Sequence, residues 1–174
     1  MSRKVFFSFD LEADAGRADQ IRRSAAIDER DMEGFFTHAE LGDAGRQGGV
    51  ELKQLILGHL RNTSVTVVLI GAKTASHPWV KYEIYQSIEQ MNGLLGVYIG
   101  HLKDDTGRTP AQGLKPMVPA GIAFPAYSWD GDRDRFMREI MAAGMRSDAM
   151  RARGSVPGKP GPVLLAPRGS RQGW

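Results

Sequence analysis

Residues 76–84, SHPWVKYEI, place a tryptophan four positions before a glutamate, shortly after the apolar run SVTVVLIGA. Ser76 as N-cap and Pro78 in the first turn are typical of a helix start, so we expect a helix from about His77. Trp79 and Glu83 then lie one turn apart on one flank of this helix. That position is the lip of a cleft, where a partly exposed carboxylate could bind sugar hydroxyls or stabilise a developing cation.

Glu83 also has an ordinary explanation. The helix dipole alone favours a glutamate in the first two turns of a helix. Lys73 or Lys81 could pair with it on the surface, and the side chain would then have no chemical role. The spacing by itself leaves both explanations open.

The end of the first predicted strand supplies further candidates. Ser8, Phe9 and Asp10 follow an aromatic and β-branched run, and open α/β sheets bind ligands outside the carboxyl ends of their strands. Asp10 could bind a ligand or cap the next helix, and the sequence favours neither. The four histidines are scattered without ligand spacing, so we assign no metal site.

Three nearly continuous apolar runs, 4–9, 64–70 and 94–99, predict strands that are covered on both faces, as in a parallel sheet. A fourth run, 122–127, contains a proline, which places it at an edge of the sheet. The short segment 34–36, GFF, could add a strand that comes second in chain order.

Helical spacing of apolar residues connects these strands. It predicts four helices: 12–27, 50–61, 79–91 and 132–145. In the last helix the apolar stripe runs from Phe136 through Ile140 and Met141 to Met145. Strands that alternate with helices predict right-handed βαβ units in a doubly wound α/β sheet. The glycine-rich segment 42–49 matches no phosphate-binding motif, and we interpret it as a loop over the cleft.

Charge and composition divide the chain of 174 residues, which has a net charge of +3, into two parts. Residues 146–174 hold six basic residues and one acidic residue and are rich in glycine and proline, whereas residues 1–145 carry a net charge of −2. We therefore interpret 1–145 as one domain. The basic tail, 146–174, is either disordered or an interaction arm.

Other classes of protein are disfavoured by composition. The absence of cysteine excludes disulfides and thiolate chemistry and fits a reducing compartment. No apolar run approaches the ~20 residues that span a bilayer, and the first ten residues lack the apolar core of a signal peptide. We expect no membrane attachment and no nucleic-acid partner.

Three segments resemble the TIR-like proteins of bacterial Thoeris anti-phage systems: KVFFSFD at 4–10, TSVTVVLIGAKTASHPWVKYEI at 63–84, and SIEQMNGLLGVYIGHLKD at 87–104. The resemblance extends over roughly residues 3–130. The spacing of Trp79 and Glu83 is similar to the TIR pattern, in which a tryptophan precedes the catalytic glutamate by four positions. This resemblance implies a flavodoxin-like or TIR-like three-layer sandwich around a central, mainly parallel sheet of four or five strands.

The resemblance also implies an enzyme with NAD as its substrate and no separate cofactor. Such enzymes break the nicotinamide–ribose bond, and a hydroxyl of the same ADP-ribose then attacks to give a cyclic isomer, a second messenger. Segment 34–49 would be the lid that excludes water. Glu83 would be the catalytic residue, and the substrate-binding set would be Ser8, Phe9, Asp10, Phe36 and Trp79, with Trp79 chiefly supporting Glu83 by packing.

The implied biology is cytoplasmic defence. A phage component such as a capsid protein would trigger the enzyme, the product would activate an effector, and the chain could form a homo-oligomer. Two alternatives remain open. The first is a non-catalytic TIR-like assembly module with Glu83 on its surface. The second is a nucleoside deoxyribosyltransferase, which has a similar fold and also uses a carboxylate at the sugar.

Overall fold

The computed structural model describes residues 3–25, 27–33 and 49–157, and within these ranges strands alternate with helices. None of the described helices is long and apolar enough to cross a membrane. The elements are β1 (Val5–Ser8), α1 (Leu11–Ser24), β2 (Met32–Glu33), α2 (Gly49–Leu60), β3 (Val65–Ile70), α3 (Pro78–Glu89), β4 (Gly93–Tyr98), β5 (Ala126–Ser128) and α4 (Arg133–Arg153).

The described strands form one sheet in the order β2-β1-β3-β4-β5, and all neighbouring pairs are parallel. This is the strand order of flavodoxin-like folds, which confirms the predicted α/β sandwich with a central parallel sheet. The strand order reverses direction between β1 and β3, where Ser8 pairs in register with Val68. In such sheets the crevice outside the carboxyl ends of these two strands is the usual ligand site.

Helices cover both faces of the sheet. On one face α1 and α4 pack against side chains such as Phe7, Val67 and Val97. On the other face α2 and α3 pack against side chains such as Phe6 and Val68. Because helices cover both faces of the sheet, neither face of the central strands is exposed to solvent, and this explains their nearly continuous apolar runs. Each large side chain that is fully buried in these layers stabilises the fold by roughly 1.5–3 kcal/mol.

Strands β5 and β2 form the two edges of the described sheet. The last strand begins at Ala126 rather than 122, because Pro125 has no N–H for the ladder; the Pro125 carbonyl instead accepts from the Gly96 N–H at 2.8 Å. Its position at the edge of the sheet is confirmed. The second strand in chain order is Met32–Glu33, and the predicted segment 34–36 lies outside the described residues.

The boundary predicted at residue 146 falls inside a helix. Helix α4 runs on to Arg153 and ends at Gly154, whose φ of 62° is left-handed and closes the helix. The apolar stripe was a poor guide here, since Met145 is 66% exposed while the small Gly144 and Ser147 are buried. The first eight residues of the predicted tail therefore belong to the folded domain, and residues 158–174 lie outside the described part.

Candidate active site

Glu83 is a buried side chain held at the carboxyl end of β1. Its carboxyl accepts a hydrogen bond of 2.5 Å from the Oγ of Ser8, the last residue of that strand and itself fully buried. Glu83 is 7% exposed, so the expectation of a partly exposed carboxylate at the lip of the cleft is wrong. No described lysine or arginine pairs with it. The explanation by a surface ion pair with Lys73 or Lys81 is therefore wrong as well.

Helix α3 brings Glu83 to this place. A short 3₁₀ turn, Thr74–Ser76, precedes the helix, His77 is its N-cap and Pro78 its first residue. Ser76 is therefore not the cap as predicted, because its hydroxyl is bonded to the Lys73 carbonyl at 2.9 Å. The apolar face of α3 packs on the sheet, and this turns the neighbouring flank with Glu83 toward β1.

Burial dominates the ionisation of Glu83. Loss of hydration raises the pKa of its carboxyl from 4.5 to about 8, although the hydrogen bond from Ser8 lowers it somewhat. At neutral pH most of this group is therefore protonated. A cationic ligand would favour the ionised form and would lower the pKa on binding.

Asp10 caps helix α1. Its Oδ1 accepts from the N–H groups of Glu12 and Ala13 at 3.1 Å each, which settles its structural role without excluding contact with a ligand. The Nε2 of His77 lies 3.9 Å from the same oxygen, and the Nδ1 of His77 is buried with no hydrogen-bond partner among the described residues. The residues after the carboxyl end of β1 and those at the start of α3 thus lie close together at the Asp10 carboxylate.

Asp14 is a buried carboxyl close to this edge of the sheet, and the sequence analysis did not name it as a candidate. Its carboxyl is buried one turn beyond Asp10, and burial raises its pKa. Arg17 donates to its Oδ1 at 2.8 Å, whereas its Oδ2 has no hydrogen-bond partner among the described residues. Gly71 at the end of β3 packs directly on this carboxyl, and a Cβ there would overlap it. The i, i+4 spacing of Asp10 and Asp14 right after a predicted strand was the available signal.

The remaining predicted residues have different outcomes. Phe9 is partly buried against the core on the face of α1 and α4. Trp79 packs beside α2 and meets Tyr82 edge-on, with ring centroids 5.9 Å apart, which agrees with packing support for the helix of Glu83. Phe36 and the predicted lid, 34–49, lie outside the described residues except for Gly49, which begins α2.

The arrangement suits a cationic, sugar-bearing ligand. A buried carboxyl without a described cationic partner can bind ribose hydroxyls and can stabilise positive charge that develops on the sugar, and low polarity around it strengthens both effects. Among the described residues no group of acidic side chains and histidines has the geometry of a metal site.

Comparison with known proteins shows the family to which the chain belongs. The model of the TIR-like domain of the Thoeris protein ThsB matches residues 6–104, more than half of the chain. ThsB1 of Bacillus cereus (strain MSX-D12), named as a candidate cyclic ADP-D-ribose synthase, is 34% identical over 149 residues, which cover 76% of this chain and 74% of that protein. The matched family segment contains Ser8, Asp10, Trp79 and Glu83.

Proposed function

Because the chain belongs to the family of Thoeris ThsB proteins with a TIR-like domain, we propose that it cleaves NAD between nicotinamide and ribose and closes the ADP-ribose into a cyclic isomer. One observation carries this proposal. The carboxyl of Glu83 is buried at the carboxyl end of β1 and accepts a hydrogen bond from Ser8. No described lysine or arginine forms an ion pair with it. A buried and unbalanced acid is costly for a fold, which is the usual sign of a functional group.

The reaction begins with loss of nicotinamide. The bond between ribose C1′ and the ring nitrogen breaks, and its electron pair leaves with nicotinamide. Positive charge passes from the pyridinium ring to the ribose, where the Glu83 carboxylate stabilises the oxocarbenium-like state. A preorganised group of this kind typically lowers the activation barrier by about 3–4 kcal/mol. Ser8 holds the carboxylate in place and does not itself react.

The second step closes the ring. A hydroxyl oxygen of the same ADP-ribose forms a bond to C1′ and releases its proton, so the products are a cyclic ADP-ribose isomer, nicotinamide and one proton. We assign Glu83 as the base that accepts that proton. Cyclisation competes with water, and the internal hydroxyl wins only if the bound substrate is folded back and shielded. We assign this shielding to segment 34–49. We assign the stacking contacts with the aromatic bases of NAD to Phe9 and Phe36.

We place this activity in anti-phage defence in the cytoplasm, in line with the family. A phage component, such as a capsid protein, switches the enzyme on. The cyclic product diffuses to an effector and activates it, and copies of the chain associate during signalling. These roles are supported by family membership alone, and each can be tested without the others.

The decisive experiment compares the wild-type chain with Glu83→Gln. Gln has the same size and still accepts a hydrogen bond from Ser8, but it cannot ionise. Nucleotides are extracted from phage-infected cells that carry either form and are analysed by mass spectrometry, and equal protein levels are verified. We expect nicotinamide and a cyclic ADP-ribose isomer with the wild type and at least about a hundredfold less with Glu83→Gln.

The two alternatives predict other results. Product formation by Glu83→Gln at the wild-type level would refute the proposed role of the carboxylate. An assembly module would release no nicotinamide in either form. A deoxyribosyltransferase would exchange bases between deoxynucleosides and leave NAD intact, and incubation of the purified chain with a deoxynucleoside and a second free base detects this exchange.

A further inference from the structure

A row of buried side-chain hydrogen bonds connects α3 with β3. The Ser87 hydroxyl donates to the main-chain carbonyl of Glu83 at 2.7 Å, and the Thr66 hydroxyl donates to the Ser87 oxygen, also at 2.7 Å. Both hydroxyl residues are completely buried. Buried polar groups whose hydrogen bonds are all satisfied rigidify a core and specify one arrangement of its elements.

The row continues to the end of α3. Asn92 Nδ2 donates to Thr63 Oγ1 at 2.8 Å and to Thr66 Oγ1 at 3.4 Å, and Asn92 Oδ1 accepts from Arg151 on α4 at 3.0 Å. Arg151 therefore fixes which end of the amide faces Thr66. Met91, the residue before Asn92, has a φ of 60°, a left-handed conformation that is uncommon for a non-glycine residue. The strained turn directs Asn92 inward.

These bonds define the direction of every proton in the row. Thr66 accepts from Asn92 and donates to Ser87, and Ser87 accepts from Thr66 and donates to Glu83. No hydroxyl has a choice of partner, so the row holds one geometry.

The row is one of two hydrogen-bonded connections between Glu83, the candidate catalytic residue, and the sheet. Thr66 pairs with Phe6 in the ladder between β3 and β1, and Ser8, two residues beyond Phe6, donates to Glu83. Glu83 is thus tied to the sheet twice, at its carboxyl by Ser8 and at its carbonyl through Ser87. The two ties together fix where α3 lies along the sheet and how far its carboxyl reaches into the crevice.

We propose that Thr66 and Ser87 are positioning residues that hold Glu83 in its reactive place. Neither hydroxyl touches the crevice; both act through the main chain of Glu83. This inference rests on the proposed function for its kinetic consequence, but its structural consequence, a displaced Glu83 carboxyl, does not depend on NAD.

Three variants test the proposal. Thr66→Val keeps the shape of the side chain and removes its hydroxyl, while Asn92 retains Thr63 as acceptor. Ser87→Ala removes the other hydroxyl and remains informative if Thr66→Val does not fold. Thr66→Ser restores a hydroxyl and is the rescue variant.

Ser147→Ala is the matched control. Ser147 is a completely buried serine on α4, which packs on the opposite face of the sheet, and its hydroxyl has no hydrogen-bond partner among the described residues. Its loss removes the same atoms as Ser87→Ala without breaking a described bond. Any effect shared by the two variants is therefore a general effect of a buried serine.

The first measurement is the NMR titration of the Glu83 carboxyl carbon in protein with ¹³C-labelled glutamate, assigned by the signal missing in Glu83→Gln. The second is the rate of nicotinamide release from NAD with extract of infected cells as the trigger. We expect Thr66→Val and Ser87→Ala to shift the titration midpoint, and to lower kcat about 10- to 100-fold with KM changed less than about twofold. We expect Thr66→Ser to restore both, and Ser147→Ala to match the wild type.

Two failures are distinguishable. If Thr66→Val and Ser87→Ala titrate and turn over like Ser147→Ala, the positioning role is refuted, whatever Glu83 does. If Glu83→Gln retains turnover, the proposed function fails, and the titration alone then decides whether the two hydroxyls hold the carboxyl.

Discussion

Glu83→Gln should change how the stability of the protein depends on pH, independently of any activity. The folded protein holds the proton of Glu83 up to about pH 8, whereas the unfolded chain loses it near pH 4.5. Between these values the unfolded state binds fewer protons than the folded state. The free energy of unfolding that Glu83 contributes therefore falls as pH rises through this window. Gln has no such proton, so the variant lacks this loss.

The magnitude follows from the shift in pKa. A rise from 4.5 to about 8 corresponds to about 5 kcal/mol at 1.36 kcal/mol per unit. About 4 kcal/mol of this falls between pH 5 and pH 9. We therefore expect the stability of Glu83→Gln relative to the wild type to increase by about 4 kcal/mol from pH 5 to pH 9. Because it is a difference between two proteins, the titration of all other groups largely cancels.

Urea denaturation followed by tryptophan fluorescence at a series of pH values measures this difference. Glu12→Gln, which removes an exposed glutamate from the first turn of α1, controls for loss of one charge. A difference between Glu83→Gln and the wild type that stays constant within about 1 kcal/mol from pH 5 to pH 9 would refute the buried neutral carboxyl. Glu83 would then be an ordinary ionised glutamate, without the perturbed carboxyl that marks it as functional.

Further predictions concern the surroundings of this carboxyl. In the wild type kcat/KM should rise with pH to a plateau above about 8, since the ionised Glu83 is the active form. Ser8→Ala should move this rise to higher pH, because the hydrogen bond from Ser8 stabilises the carboxylate. A pH profile of nicotinamide release whose midpoint is the same in Ser8→Ala and the wild type would contradict this. Gly71→Ala should destabilise the fold by more than about 2 kcal/mol in urea, because its methyl group overlaps the Asp14 carboxyl. Gly58→Ala, with no atom near its added methyl group in α2, should instead stabilise by about 0.5–1 kcal/mol, and equal effects of the two substitutions would show that the overlap is relieved without cost.

The sequence predicted the order of the elements well, because each central strand is covered on both faces and the segments between the strands have apolar residues at helical spacing. It failed where small residues replaced large ones. Beyond Ile140, α4 is buried through the small residues Ala143, Gly144 and Ser147, which give only a weak periodic signal in an apolar count. The boundary was therefore set at Met145, although that side chain points to solvent.

The site was predicted in part for a related reason. The flank position of Glu83 followed from helical angles, but its depth did not, since burial depends on how closely α3 approaches β1. That approach is set by pairs distant in sequence, such as Ser8 with Glu83 and Thr66 with Ser87. No pattern within a single element shows such pairs. The spacing of Asp14 from Asp10 was visible in the sequence, but the burial of Asp14 was not, because its contact with Gly71 joins separate elements.

The cap of α1 has a consequence for the direction in which a dinucleotide can lie. In many α/β proteins a pyrophosphate rests on the amino end of the helix after the first strand. Here the carboxylate of Asp10 already takes those N–H groups and places a negative charge in that spot. A phosphate would be repelled there, whereas a pyridinium ring would be attracted. The phosphates of NAD must therefore bind elsewhere than on the amino end of α1, in contrast to the usual nucleotide-binding folds.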